Sequence, residues 1–550
     1  MRSSAVALAL VALAFISVPR SAHACGGFFC NRNQPVVQNA ERIAFLVHGD
    51  GRLTTVVQIQ YSGPAEAFSW ILPIPGVPEV DVSSNVVFQQ LDGLTRPQFQ
   101  LSVEDNCTPP PFMASPGATA DAGTSALDMG TAAPAVDVLA TGSVGPFDYE
   151  VIRPNPDLPD PATVAVRWLE DNGYDVGAIG PDRLRPYLEM DQNLIAFRLQ
   201  KTANAGDIRP VALTYQGERS VIPIELTAVA TQPDMGVLVW VLGPGRAVPL
   251  NYYALEPNLA LVNWFQGGFN WASVVTAAAD EAGGQGFVTE MAGSTNGVVL
   301  PVLSTFAEDE WTQIRATDWV AQEFVLLRRV NGLFQNWDGL LSAFETHVPV
   351  PEGATLQGFL NCPQCFGVSD VALPGFDVTA FLADVEQNVV GPVRRSDALF
   401  SGFPWITRLF TTLSAEEMTK DPAFDFNMDL AEVDRIREAS ARRMSCDAPF
   451  EVTLPSGRVV VAPDFPQWPA QPGNGLPSNV RVLSAGLEGP ATVVEDNTAM
   501  LNEALAPPAV TPTLDDPIPG SSCRTTGPSQ SASWLVLGLL ALFFRRRAEA

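Results

Sequence analysis

Positive charge is scarce in this chain. Its 32 lysines and arginines face 60 acidic residues, for a net charge of −28. Such a surface repels nucleic acid and bare anionic lipid, which removes both from the field of partners, and it keeps an exported protein soluble. Histidine is scarcer still, at three residues. His23 falls in the leader, which leaves His48 beside a turn and His347 after a helix end, too scattered to read as a catalytic pair. There is no Gly-x-Ser-x-Gly, no His-Glu-x-x-His and no phosphate-cradling loop, and Gly243-Pro-Gly245 lacks the third glycine of a dinucleotide turn. No catalytic residue, cofactor site or metal set is assigned on this basis.

What is there begins with two addresses. Arg2, an apolar stretch over 5–18 and the small-x-small signal Ala22-His-Ala24 read as a signal peptide, residues 1–24, cleaved between Ala24 and Cys25. At the other end Cys523 stands in a polar linker, residues 534–544 are apolar, and Arg545, Arg546 and Arg547 close the run. That plug makes roughly 16 Å of helix against roughly 30 Å of bilayer core, a thin span with a cationic stop. It resembles the C-terminal sorting tails of myxobacteria, in which a Cys precedes a short helix and an arginine cluster. The resemblance implies a sorting protease as partner, a lipidation candidate at Cys523, and anchoring to a membrane near Cys523 or by the 534–544 helix.

Setting Cys523 aside as a processing residue leaves Cys25, Cys30, Cys107, Cys362, Cys365 and Cys446, an even set that reads as three disulfides in an oxidising compartment. Proximity favours Cys25–Cys30 and Cys362–Cys365, which leaves Cys107 for Cys446. A zinc or redox role for Cys362-Pro-Gln-Cys365 lacks the further ligands or a thioredoxin-like frame.

Between the ends the pattern predicts an α+β protein, with β-rich N-terminal and C-terminal parts around a mixed, partly helical middle. A β-rich region covers 25–107, with a hairpin turning at Gly49-Asp-Gly51. Residues 108–145, poor in aromatics, read as a disordered insertion. An α/β region follows over 146–263, where Asp160 and Pro161 start a helix that Gly173 ends, and residues 221–226 read as a strand. Residues 264–446 read as mainly helical: one helix stops at Gly283-Gly284, two flank Asn331-Gly332, a capping box opens at Ser414, and 430–443 forms the last. A β-hairpin region covers 447–506, a linker 507–530 and the tail 531–550. A weak internal echo, Ile43-Ala-Phe45 against Ile195-Ala-Phe197, suggests duplicated β-units.

Several stretches are together similar to one bacterial family, the domain of unknown function 2330. They are Cys25-Gly-Gly-Phe-Phe-Cys30, Trp168-Leu-Glu-Asp-Asn-Gly-Tyr174, Gln232-Pro-Asp-Met-Gly-Val-Leu-Val-Trp240, Gly283-Gly-Gln-Gly-Phe-Val-Thr-Glu290 and the run from Arg408 to Met418. They span residues 25–446. The resemblance implies export, with the Cys pair at the mature start, and carries no activity or ligand.

Two constellations are weighed against plainer readings. Asp421, Asp425, Asn427 and Asp429 recur like the opening of a calcium loop, but Leu430 and Ile436 stand where the loop needs Gly and Glu, so a solvated acidic turn is preferred. Tyr252, Tyr253, Trp264, Phe265, Phe269 and Trp271 suit a sugar-stacking platform, yet aromatics at that density read first as core. The resulting expectation is an exported cell-envelope or surface protein, structural or ligand-binding, its ligand unspecified. The alternative is a secreted hydrolase acting on carbohydrate through two carboxylates.

Overall fold

The computed structural model describes residues 28–29, 38–58, 68–106 and 136–505, apart from gaps at 175, 177–178, 201–207, 218, 229–230, 297, 299–300, 321 and 369–371. The chain through Ala506 forms one compact unit; Pro507–Ala550, a second unit, lies outside the described residues, and with it Cys523 and the 534–544 run. No described helix is long and apolar enough to cross a membrane. Ala24, Cys25, Cys30 and Cys107 also lie outside.

The fold is α+β and strand-rich. A ten-stranded mixed sheet runs in the order Thr492–Asp496, Asn479–Ser484, Tyr253–Pro257, Gly286–Ser294, Trp405–Leu413, Thr231–Gly243, Gln38–Val47, Arg52–Gln58, Val211–Gln216 and Glu79–Val82. Thr231–Gly243 carries an unbroken apolar run because both faces of the sheet are covered there. Val237, Val239 and Val241 point one way, into a core shared with Phe45 and Phe424. Leu238, Trp240 and Leu242 point the other way, toward Val87, Phe88 and Leu91 of the helix Asn85–Thr95.

Three smaller sheets pack around this one. Ser220–Val221, Ala423–Asn427 and Arg246–Pro249 form a three-stranded sheet that supplies Phe424 and Ala247 to the first face. A five-stranded antiparallel sheet, which contains Ser69–Ile74, Asn193–Leu199 and Phe147–Pro154, packs Trp70, Phe147 and Phe197 against Val211 and Leu213. A four-stranded sheet pairs Gln98–Asp105 in parallel with Ile436–Arg443. A helical block, from Thr305–Ala316 to Gly391–Phe400, has its own core of Trp311, Phe324, Phe334, Phe359 and Phe381. It is inserted between Gly286–Ser294 and Trp405–Leu413, which are antiparallel neighbours in the central sheet.

One buried ionic network joins these parts. Arg408, opposite Trp240 in the sheet, donates from Nε to Glu290 Oε2 at 2.5 Å and from Nη1 to Asp92 Oδ1 at 2.8 Å and Thr95 Oγ1 at 3.2 Å. Trp271 Nε1 donates to the other Glu290 oxygen at 2.5 Å, and Trp240 Nε1 donates to Thr95 Oγ1 at 2.9 Å. Glu290 is 1% exposed and Arg408 6%. Burial alone would raise the Asp92 carboxyl, but the Arg408 and Arg96 guanidiniums outweigh it and hold the group below the usual range. Two interior strands, the helix Asn85–Thr95 and the helix Trp271–Glu281 thus share one set of charges.

The structure bears out the helix entry at Asp160, whose carboxylate accepts from the Thr163 N–H, and the left-handed stops at Gly173, Gly283 and Gly284. Other expectations are corrected. Within 108–145, Val136–Val144 is a strand; it sits at the edge of the five-stranded sheet, mostly exposed, and so needs little apolar patterning. Residues 430–443 hold the strand Ile436–Arg443, whose Ala439 and Ala441 alternate inward. Asn331 and Gly332 lie inside the helix Glu323–Phe334, which a buried Leu326, Leu327, Val330 and Phe334 face carries past them; the turn comes at Asn336 and Gly339. Residues 221–226 are a two-residue strand end and the start of the short helix Ile224–Thr227. The Ser414 box closes a turn instead of a helix: Glu417 accepts the Ser414 N–H at 2.7 Å, while Ser414 Oγ accepts from the Asp234 N–H. The internal echo ends here too, because Asn193–Leu199 and Val211–Gln216 belong to different sheets whereas Gln38–Val47 and Arg52–Gln58 form a hairpin in one. The regions 25–107, 146–263, 264–446 and 447–506 each contribute strands to the central sheet.

Removing one side of a buried ion pair strands the other charge and costs about 3–5 kcal/mol, whereas replacing both with apolar groups is close to neutral. Glu290→Ala is therefore expected to lose about that much in urea unfolding, and the double variant Glu290→Met, Arg408→Met to recover most of it. A double variant as unstable as the single one would show that the network is not what is lost.

Candidate functional site

The helix Gly391–Phe400 crosses one edge of the central sheet and leaves a polar groove of about 510 Å³ beneath it. Period-two alternation sets its floor. Arg52 and Thr54 on one strand, and Ala212 and Thr214 on the next, turn the same face to the groove, with Thr54 and Thr214 directly opposite. Their hydroxyls meet at 2.8 Å, and His48 Nε2 lies 2.9 Å from Thr54 Oγ1. The His48 ring rests against Phe403, centroids 5.4 Å apart. On the helix side Ser396 Oγ meets Ser83 Oγ at 2.8 Å, and Arg395 Nε donates to Asp81 Oδ2 at 2.9 Å. Arg52 is paired with Asp50 at 2.8 Å. The groove is thus lined by hydroxyls, by two cations each matched with an aspartate, and by the exposed Glu79 carboxylate.

A histidine on a threonine hydroxyl has the outline of a base and its nucleophile. Thr54 is 0% exposed, however, and its hydroxyl is engaged by both His48 and Thr214, so no substrate reaches it. Burial, and then the Arg52 guanidinium, holds His48 below its ordinary value, which keeps the ring neutral near pH 7. Carboxylate chemistry fares no better. Glu79 and Asp81 are two residues apart on one short strand, side by side, and Asp81 is committed to Arg395.

A second cavity lies between the central sheet and Ser69–Ile74, lined by Ile43, Phe45, Val57, Trp70, Leu72 and Tyr215 among others. Its volume is about 60 Å³. Ligand pockets run to about 300–1,000 Å³, so this is a packing gap.

The sequence model of a family described as an uncharacterised protein conserved in bacteria (DUF2330) matches residues 19–307. The chain belongs to the DUF2330 family. The match stops short of the run from Arg408 to Met418. No curated protein matches this DUF2330 chain. Among solved structures it is similar to a mutated baculovirus P35 after caspase cleavage, at 9% identity over 40% of this chain and 78% of that one. The TM-score is 0.22, too low to carry an argument.

The DUF2330 chain places the residues singled out by sequence as follows. Cys362 and Cys365 are bridged, and Cys446 is disulfide-bonded. Asp421, Asp425, Asn427 and Asp429 do not converge. Asp421 accepts from the Tyr187 hydroxyl and the Glu225 N–H, Asp425 from the Phe426 N–H, and Asp429 from the Gly489 N–H, while Asn427 donates to Gly486 and Gly489 carbonyls. No group of three or more metal-binding side chains occurs among the described residues. Of the aromatic platform, Tyr252 and Trp264 are buried, Phe265 packs on Phe450 and Trp468, and Trp271 serves Glu290; Phe269 and Tyr253 are exposed. Sequence reasoning missed the groove, whose walls come from positions more than 300 residues apart; the alternating Arg52, Thr54 and Thr214 were its only local trace. It also missed that Trp240 and Glu290, each from a stretch within the family match, meet Arg408 in one network.

Among the described residues the Asp421 carboxyl is pushed up to about 6, by burial above all, against an ordinary value of 3.8; it lines neither cavity. The folded chain holds a proton there that the unfolded chain has released, so this group's contribution is full below about pH 3.8 and is lost as pH rises through about 6. Asp421→Asn should therefore gain stability relative to the natural chain across that window, by roughly 2–3 kcal/mol at neutral pH. Urea midpoints of both proteins that run parallel from about pH 4 to 7 would contradict it.

Proposed function

We propose that this DUF2330 protein is an exported cell-envelope protein that binds a small, neutral, hydroxyl-rich ligand in the groove beneath Gly391–Phe400, without turning it over. The observation that carries this reading is the lining: Thr214 and Ser401 present accessible hydroxyls over a floor of buried, mutually bonded Thr54, Ser83 and Ser396, while Arg52 and Arg395 are each answered by an aspartate. With both cations answered, the groove does not reward an anionic ligand, and its accessible hydroxyls reward a partner that can both donate and accept. Hydrolysis of carbohydrate needs two carboxyls facing each other about 5–9.5 Å apart, and the two in the groove share one strand.

Ala398 is exposed on the groove wall, so Ala398→Trp should fill the site without disturbing a core. Saturation-transfer NMR with glycerol, glucose, maltose and trehalose should give signals for at least one probe, weakened at least tenfold in the variant. Probes that never bind, or that bind both proteins alike, would remove the groove from consideration.

Export and anchoring belong to the same reading. The leader with its Ala24–Cys25 cleavage point, the Cys523 tail and the disulfides all point to a mature chain outside the cytoplasm. The strands Gln98–Asp105 and Ile436–Arg443 run parallel with Asp105 opposite Arg443, and the Asn106 N–H donates to the Arg443 carbonyl. That register supports a Cys107–Cys446 bridge. The mass of the native protein from a membrane fraction is expected to fit a chain from Cys25 to Cys523 with added lipid. A chain running intact to Ala550 would mean that its own short helix holds it.

A further inference from the structure

Within the helical block the short helix Leu356–Asn361 runs into the turn Cys362-Pro-Gln-Cys365, whose two sulfurs are bridged. The turn does not need the bridge. Backbone bonds already hold it: Cys362 N–H to the Gly358 carbonyl, Cys365 N–H to Cys362, Gly367 N–H to Gln364 and Val368 N–H to Pro363, at 3.0–3.2 Å. Pro363 fixes one backbone angle, and Gly367 closes the turn in the left-handed region, where a glycine is favoured. A cross-link between residues three apart constrains the unfolded chain far less than one that closes a long loop. The bridge is also off the core. Cys365, Gln364, Phe366 and Gly367 are exposed, and Cys362 is half-buried. Residues 353–368 carry no charged side chain in a chain of net charge −28, and Phe366 gives this neutral stretch an exposed apolar edge.

We propose that Cys362–Cys365 is a thiol–disulfide exchange site for a dithiol on an extended peptide or protein segment. The partner's thiolate attacks the exposed Cys365 Sγ; the bridge breaks, Cys362 leaves as a thiolate, and a mixed disulfide links Cys365 to the partner. The partner's second thiolate attacks its own sulfur in that mixed disulfide and expels Cys365 as a thiolate. Two electrons and two protons pass to the cysteine pair, and the partner ends as a disulfide. A small-molecule disulfide such as oxidised glutathione then takes the two electrons back and restores the bridge. Exposure decides which sulfur is attacked, since attack rates follow access as well as thiol chemistry.

The test uses the full folded chain, a reduced synthetic peptide bearing two cysteines beside apolar residues, and a glutathione redox buffer. Peptide oxidation should run at least tenfold above buffer alone with several turnovers per chain, and C365S should return it to background. In C362S the free Cys365 thiolate takes up glutathione from oxidised glutathione, releasing reduced glutathione. A peptide variant with a single cysteine then displaces that glutathione and, having no second thiol to expel Cys365, should remain on it as a mixed disulfide, mapped by mass spectrometry without reduction. Melting temperatures within about 2 °C of the natural chain would show that both variants fold, as so short a cross-link predicts. Oxidation at the buffer rate, equal activity in C365S, or a C362S chain that captures no peptide while Cys365 reacts freely with a thiol reagent would each overturn the proposal.

Discussion

The buried charge on Arg408 constrains everything around it. A guanidinium 6% exposed must be answered where it stands, because its hydration cannot follow it inside. Glu290 answers from the adjacent strand and Asp92 from the helix laid across the sheet, with the Trp240 ring beneath at 5.4 Å. Each partner is itself committed: Glu290 to Trp271, and Thr95 to Trp240 and the Leu91 carbonyl. These bonds fix the orientation of two helices over the sheet. Apolar packing alone would leave the helices freer to slide, since it is not directional. A second polar joint repeats the idea at the helical block, where Asp338 accepts from Ser84 Oγ and the Asn85 N–H at the start of that same helix.

What could be read from the residues was local. The Asp160-Pro161 helix start, the double-glycine stop after Trp271–Glu281 and the apolar run of Thr231–Gly243 each carry their cause within a few neighbours. What could not be read was long-range. Gln38–Val47 pairs in parallel with Thr231–Gly243, nearly two hundred residues on, and Gln98–Asp105 with Ile436–Arg443, more than three hundred on. Pairing between such distant strands leaves no periodic trace. Ile436–Arg443 was lost for a further reason: its inward positions are Ala439 and Ala441, and alanine favours a helix in isolation. Packing overrode propensity there.

The groove shows the same division. His48 was visible as one of very few histidines, and its place beside a turn was legible. Its meaning depends on Thr54 and Thr214, brought opposite each other by strand register, and on a helix supplied by a block inserted far along the chain. Burial then decides the chemistry: the hydroxyl that histidine touches is sealed, so the residue shapes a wall. The family stretches tell a parallel story. Two of them, ending at Trp240 and Glu290, converge on the Arg408 network, which makes them structural in the first instance.

If that network binds the layers into one cooperative unit, its elements should open together. Hydrogen exchange followed by mass spectrometry would read this directly on the native chain. The account predicts that Asn85–Thr95, Gly286–Ser294 and Trp405–Leu413 share one protection level, close to the global unfolding free energy. Exchange of Asn85–Thr95 at a distinctly lower free energy, with the two strands still protected, would contradict it.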